Sequence, residues 1–337
     1  MDFTVIRKRS EYITLIKSFF IENGYLEVDT PILTPSVIPE NSIELFETKY
    51  INPIDSIEKI YFLIPSPEIW MKKLLAEGSG NIFQVSKSFR NGEQTNRHHN
   101  PEFTMLEWYT VNSNYIDSID ITEKLIRYIL LKKNKKLLLT FGNTLIDFSP
   151  PFKRLSMKEA FKLYAGINLD ILTDFAEGDK NINTVLRENK FDISSRHIES
   201  LSWETKFNIL FLALVEPLLP KERPVILFDY PAKIPTLAQI SRDPKYSERW
   251  ELYLAGMETA NCYTEERNPD TILSFFRNEE QKGKSRYPKR LTDWNFPSIF
   301  KNNFPKCSGV ALGIDRLLMV LLNKETIDGV FPYLFFK

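Results

Sequence analysis

The sequence predicts an α+β protein in which antiparallel strand pairs are flanked by helices, and three observations carry that expectation. Residues 82 to 109, IFQVSKSFRNGEQTNRHHNPEFTMLEWY, hold two alternating runs on either side of a polar loop. Residues 250 to 266, WELYLAGMETANCYTEE, hold a second such pair around Ala255 and Gly256. Stretches with helical apolar spacing stand before and between them.

At 337 residues, 43% hydrophobic and 26% charged, the chain can bury one large core or two modest ones, which excludes disordered and fibrous classes. Forty-four basic residues balance forty-four acidic ones, so net charge makes no case for a nucleic-acid coat or an anionic membrane surface. The two cysteines, Cys262 and Cys307, form neither a disulfide framework nor a zinc spacing. The N-terminus is interrupted by charge and reads as neither a signal peptide nor a spanning segment. A cytoplasmic protein without a membrane is expected. With no Gly- or Ser-rich linker, repeat or low-complexity segment, residues 1–337 are expected to form a single domain.

The elements follow in order. Ile6, Ile13, Ile16 and Phe20 form one stripe of an amphipathic helix over residues 5 to 23, and Gly24 is placed to end it. A strand running to Pro31 comes next. Ser66, Pro67 and Glu68 open another helix, with the acid at its positive end. In the 82–109 pair, Gln84, Ser86, Ser88 and Arg90 share a face, as do Phe103, Met105, Glu107 and Tyr109. Paired, they present Arg90, Phe103, Glu107 and Tyr109 together. A guanidinium grips phosphate or carboxylate, an aromatic ring stacks on a purine, and a carboxylate beside a phenol suits an ammonium group. A surface hairpin whose charges face water is the competing reading.

Further on, a helix is expected near 119 to 132, and the KKNKK tract at 132 to 136 reads as a solvated turn. An apolar helix from 205 and the buried strand PVILFDYP follow. Around Ala255 and Gly256, a two-residue turn pairs Leu254 with Met257, Tyr253 with Glu258 and Leu252 with Thr259. Glu251 and Glu258 then lie diagonally, roughly 7 Å apart at the backbone, within reach of one cation. Two carboxylates with phosphate oxygens suit magnesium, although exposed strand carboxylates are common. Near the end, CSGVALGIDRLLMVLL joins a small-residue strand to an apolar helix. Arg316 sits at that junction, free to meet phosphate or to pair with Asp315. The basic stretch from Arg277 to Arg290 suits an acidic partner, RNA, or simply solvent.

The segment FRNGEQTNRHHNPEFTMLEWY resembles motif 2 of class II aminoacyl-tRNA synthetases, in particular the lysyl subgroup. NGYLEVDTPILTPS is similar to motif 1, and CSGVALGIDR to motif 3. The resemblance implies the class II catalytic core, a mainly antiparallel β-sheet flanked by helices, and a homodimer through the motif 1 helix and strand. It implies ATP held by Arg90, Glu93, Arg97, His99, Asn100, Phe103 and Arg316, with Phe103 and Arg316 enclosing the adenine and both Arg90 and Arg316 catalytic. The loop is one residue longer than the lysyl pattern, so Glu93 fits only after a register shift. WELYLAGMETANCYTE looks like the lysyl segment whose early glutamates bind magnesium, which places Mg2+ on Glu251 and Glu258. It also places the substrate carboxylate on Asn261, an aromatic wall at Tyr263 and the distal ammonium on Glu265. Glu68 would take the other amine, and Glu107 and Tyr109 complete the substrate set. Glu258 and Asn261 have opposite strand parity, so both can face the site only across a bulge. Cys262 replaces a family glycine.

Ala311 stands where lysyl-tRNA synthetases carry glycine, adding one methyl to a pocket strand. The match also begins close to residue 1, which leaves no room for the anticodon-reading OB-fold of roughly a hundred residues. Both features resemble the elongation factor P (R)-β-lysine ligase family. That family activates (R)-β-lysine, or lysine, as an aminoacyl-adenylate and passes it to a lysine of elongation factor P. A truncated lysyl-tRNA synthetase acylating tRNA and a non-catalytic regulatory paralogue are the alternatives. The intact arginines and glutamates weigh against the paralogue, and the near-neutral charge makes tRNA the less favoured acceptor.

Overall fold

In the computed structural model, residues 3–331 are described apart from residues 55, 93–96, 190, 192–194 and 284–290. Helix α1 (Phe3–Glu22) buries Tyr12, Ile16, Phe19 and Phe20. The i, i+4 spacing of Tyr12, Ile16 and Phe20 stacks them on one face. Gly24 ends the helix at φ 79°, and the Tyr25 amide turns back to the Phe20 carbonyl at 3.0 Å.

Eight strands form the main sheet. They are β1 (Leu26–Glu27), β2 (Ile82–Phe89), β3 (Glu102–Val111), β4 (Lys153–Ser156), β5 (Val225–Pro231), β6 (Tyr246–Leu254), β7 (Met257–Thr264) and β8 (Cys307–Gly313). Their spatial order is β1-β2-β3-β8-β7-β6-β5-β4. The outermost pair at each end is parallel, and every pair between is antiparallel. The expected mainly antiparallel α+β architecture is what the chain adopts.

The alternation of each central strand divides the sheet into two chemically different faces. Leu106, Trp108, Trp250, Leu252, Val310 and Leu312 point into one core. Helix α1, helix α3 (Tyr115–Asn134) and helix α5 (Ile314–Leu321) cover that face. The other face carries the polar alternates and is roofed by helix α2 (Glu68–Ala76) and helix α4 (Pro269–Gly283), whose apolar sides meet Phe296 and Phe300. Helices within residues 157–219 build a further core on Val225 and Leu227 of β5.

Two local features differ from the sequence expectation. Helix α3 starts before residue 119 because the Asn114 side chain accepts from the Ile116 and Asp117 amides while the Asp117 carboxylate accepts from the Asn114 amide. Lys132 and Lys133 therefore lie in its last turn, and Lys135 closes it at φ 54°. In the β6–β7 hairpin, Ala255 and Gly256 both take positive φ, as a two-residue turn requires. Leu254 pairs with Met257 and Tyr253 with Glu258 as expected, but Leu252 pairs with Ala260 rather than Thr259. Thr259 is the extra residue of a bulge, the device needed to bring Glu258 and Asn261 to one face. Among the described residues no helix is long and apolar enough to cross a membrane.

One buried cluster ties the three motif segments together. Arg9 of α1 meets Asp315 of α5 at 2.6 Å and donates to Thr104 Oγ1 at 2.7 Å. The Thr104 amide donates to the other Asp315 oxygen at 2.6 Å. Asp315 is thus held by Arg9 and is not the partner of Arg316. Removing one member of such a buried pair strands the other, so Arg9→Met is expected to cost about 3 to 5 kcal/mol in chemical denaturation. An unfolding midpoint equal to the wild type would show that the cluster does not hold the sheet to its helices.

Candidate active site

The register across the sheet sets out the site. Gln84, Glu107, Ala311, Asn261 and Glu251 lie directly opposite one another across five adjacent strands. The next row is Ile82, Tyr109, Gly309, Tyr263 and Arg249. Glu107, Ala311 and Asn261 of the first row and Tyr109, Gly309, Tyr263 and Arg249 of the second form the floor of a cavity of about 480 Å³, within the usual range for a small-molecule site. Glu68 and Ser66 at the start of α2, together with Glu40 from the loop ahead of the strand Glu47–Ile51, complete one end. Arg90, His99, Phe103, Glu258 and Arg316 complete the other.

The first end is crowded with carboxylates. Glu107 is buried and accepts from Ser66 Oγ at 2.5 Å and from Tyr109 Oη at 2.7 Å. Burial, followed by the charge of Glu68, pushes its pKa up to about 8, against the pull of those donors. Glu265 is pushed up to about 7 by burial, with Lys72 opposing. Glu40 is likewise raised to about 7 by burial and then by Glu68. Lys72 lies on the buried side of α2, with its ammonium 2.5 Å from Glu68 and 2.6 Å from Glu265. Burial works against that charge, but the two acids outweigh it and hold Lys72 above the ordinary lysine range.

The second end is cationic. Arg316 donates to the Glu258 carbonyl at 2.8 Å and to His99 Nε2 at 2.5 Å, which leaves the histidine proton on Nδ1. The Arg90 guanidinium lies 5.3 Å from the centre of the Phe103 ring. An anionic ligand with a flat aromatic group fits between these charges and that ring.

Glu251 and Glu258 sit beside this end. Glu258, whose side chain is 43% exposed, is raised by its partial enclosure in the cleft and then by the charge of Glu251, against Arg316, Arg249 and Arg90. Mutual repulsion of this kind is what a divalent cation relieves, so the pair fits magnesium. The two acids are not equally available. Glu251 Oε2 accepts from Tyr230 at 2.6 Å and from Tyr253 at 2.7 Å, while Oε1 is held by Arg249. Among the described residues no group of three or more His, Cys, Asp or Glu gathers as a cage. A magnesium ion here would complete its shell with water and phosphate oxygens, as it commonly does.

The fold brings together Glu68, Arg90, His99, Asn100, Phe103, Glu107, Tyr109, Glu258, Asn261, Glu265, Ala311 and Arg316 around one cavity. Glu251 lies behind Arg249 rather than on the cavity wall. Arg97 is not brought in, because its exposed side chain pairs with Glu325 at 3.0 Å. Glu93 lies outside the described residues, as does the basic stretch beyond Gly283.

Three contributors escaped the sequence. Arg249 stands 4.4 Å from the Tyr230 ring centre and 5.7 Å from that of Tyr263, forming the end wall of the second row. Its parity with Glu251 and Tyr253 was the available signal. Lys72, four residues after Glu68, was a second such signal. Ser66 read only as a helix start.

Residues 3–335 match the family model described as tRNA synthetases class II (D, K and N). An elongation factor P--(R)-beta-lysine ligase of Haemophilus influenzae (strain PittGG) is 36% identical over 334 residues, covering 98% of this chain and 95% of the relative. Ligases of the same name are 34% identical in Mannheimia succiniciproducens, covering 96% and 93%, and 35% identical in Buchnera aphidicola, covering 97% and 94%.

The raised carboxylates have a thermodynamic consequence. Glu107 and Glu265 bind protons more tightly folded than unfolded, so the stability they contribute is present below about pH 4.5 and is lost as pH rises through about 7 to 8. The melting temperature of the ligand-free protein is expected to fall from pH 6 to pH 8. Glu107→Gln removes one buried charge and should raise the pH 8 value by a few degrees. A variant that melts lower than wild type at pH 8 would mean that Glu107 is already stabilised in its charged form.

Proposed function

The chain belongs to the class II tRNA synthetases of the D, K and N group and, within them, to the elongation factor P--(R)-β-lysine ligases; from that premise we propose how its cleft performs the ligation. It is an ATP-dependent ligase that joins (R)-β-lysine to elongation factor P. The observation that supports this cleft as the site is the pair of sheet rows, which set a carboxylate-rich end and an arginine-rich end on one surface.

ATP takes the arginine end, with its adenine between Phe103 and Arg316 and its phosphates toward Arg90, His99 and Arg316. Lysine or β-lysine lies along the rows, its carboxylate at Asn261 and its amines toward Glu68, Glu107 and Glu265. A substrate carboxylate oxygen attacks the α-phosphorus, the bond to the bridging oxygen breaks, and pyrophosphate leaves. Arg90 and Arg316 meet the charge that develops, and the fixed rows orient the two reactants. Magnesium, when bound at Glu258 and Glu251, neutralises phosphate charge. A neutral lysine ε-amine of the acceptor then attacks the activated carbonyl. AMP departs, a proton is released, and an amide remains.

Three further parts of this reading have their own support. The homodimer is supported by the exposed apolar residues Leu26, Ile32 and Leu33 near the motif 1 strand and by Phe3 and Ile21 of α1. Placement in the cytoplasm is supported by two buried free thiols, Cys262 and Cys307. Assignment of residues 1–337 to one catalytic domain is supported by a sheet that draws strands from Leu26 to Gly313.

Amino-acid-dependent ATP–pyrophosphate exchange tests the activation step. The wild type is expected to exchange with lysine or (R)-β-lysine. Glu265→Ala, which leaves Lys72 paired with Glu68, should lower the unfolding midpoint and lose roughly ten- to hundredfold in kcat/KM for the amino acid. Ala311→Gly removes one methyl between Glu107 and Asn261, and should shift the ratio of lysine to β-lysine activation by roughly ten- to two-hundredfold. Exchange indifferent to both substitutions would remove the rows from the site.

A further inference from the structure

We infer that Lys72 is a positioning residue that lets Glu68 and Glu265, which the resemblance assigned to separate amines, act together as a receptor for one substrate ammonium, by standing between them as a resident ammonium. The inference rests on the cleft being the amino-acid site.

Lys72 shares the buried side of α2 with Ile69, Met71 and Leu75, and its side chain is only 1% exposed. A lysine in that position costs stability unless its charge is matched. The match is specific: Glu68 Oε1 lies at 2.5 Å and Glu265 Oε2 at 2.6 Å. Each acid commits one oxygen to Lys72. The other oxygen of Glu265 lies over Gly309, where a Cβ would stand 2.3 Å from it and 2.5 Å from the Tyr109 ring. That oxygen faces the cavity only because β8 has no side chain there.

The charges then add simply. Once Glu265 is ionised, above about pH 7, two carboxylates and one lysine leave a net single negative charge, and one arriving ammonium neutralises it. Without Lys72, the buried Glu265 beside Glu68 would be pushed further toward its protonated form, and the substrate would have to displace that proton. Other groups around Lys72 are Glu40 from the loop before Leu45, Glu107 and Tyr109 of β3, and Cys307 of β8. All of them remain in a Lys72 variant, so a difference from the wild type isolates the lysine.

The test is the KM for the amino acid and for ATP in pyrophosphate exchange, followed from pH 6 to pH 9. Lys72→Met should raise the amino-acid KM roughly ten- to hundredfold at neutral pH. The defect should shrink as pH rises and that proton leaves, with the ATP KM little changed. Lys72→Arg, which keeps the charge, should keep the wild-type slope. Glu68→Gln provides a second arm if Lys72→Met does not fold: it should raise the amino-acid KM while retaining the wild-type pH slope, and a steeper slope would overturn the inference. Lys72→Met with a wild-type pH profile, or with equal losses for ATP and amino acid, would overturn it as well. A wild type with no lysine- or β-lysine-dependent exchange would overturn the cleft reading and this inference with it, whereas an active wild type with an indifferent Lys72→Met overturns the inference alone.

Discussion

Carboxylates closed away from water need a countercharge, and that constraint shapes one whole end of this cleft. The buried Glu107 and Glu265 approach the half-buried Glu68 at the start of α2, and Lys72 is the cation built in among them. Ser66 and Tyr109 fasten Glu107 from either side. What remains is an excess of negative charge in a pocket of low polarity, which favours a ligand carrying more than one amine. The arginine end poses the opposite problem, since Arg90, Arg249 and Arg316 converge there and anionic phosphates suit them.

These two ends can meet on one surface because of strand parity. Alternate residues of β3, β8 and β7, with Arg249 of β6, face the cleft, while the intervening Trp108, Val310, Cys262 and Trp250 bind the sheet to its helices. A one-residue slip would exchange the two sets. The bulge at Thr259 uses that sensitivity, shifting β7 so that Glu258 joins Asn261 on the polar face. The Arg9–Asp315–Thr104 cluster holds the register from behind, coupling α1 and α5 to the strand that carries Phe103 and Glu107.

Much of this was legible in the sequence where local rules decide it. The turn at Ala255 and Gly256, the shared face of Phe103, Glu107 and Tyr109, and the end of α1 at Gly24 follow from turn chemistry and periodicity. The need for a bulge was legible too, as a parity conflict between Glu258 and Asn261, although the displaced partner of Leu252 was not. Tertiary pairings stayed hidden. Lys72 looks like any helix lysine until Glu265, distant in sequence, is folded against it. Asp315 seemed a partner for Arg316, its neighbour, whereas Arg9 from the opposite end of the chain reaches it first. Arg97 carries the right charge in the right loop, yet Glu325 draws it outward.

The central claim is that the adenylate formed here is delivered to a protein amine. Its most direct measurement is the intact mass of elongation factor P after incubation with the enzyme, ATP, magnesium and (R)-β-lysine, with tRNA offered in a parallel reaction. The account predicts that elongation factor P gains the mass of one lysyl residue, at a single lysine, while tRNA stays uncharged. Unmodified elongation factor P beside aminoacylated tRNA would contradict it.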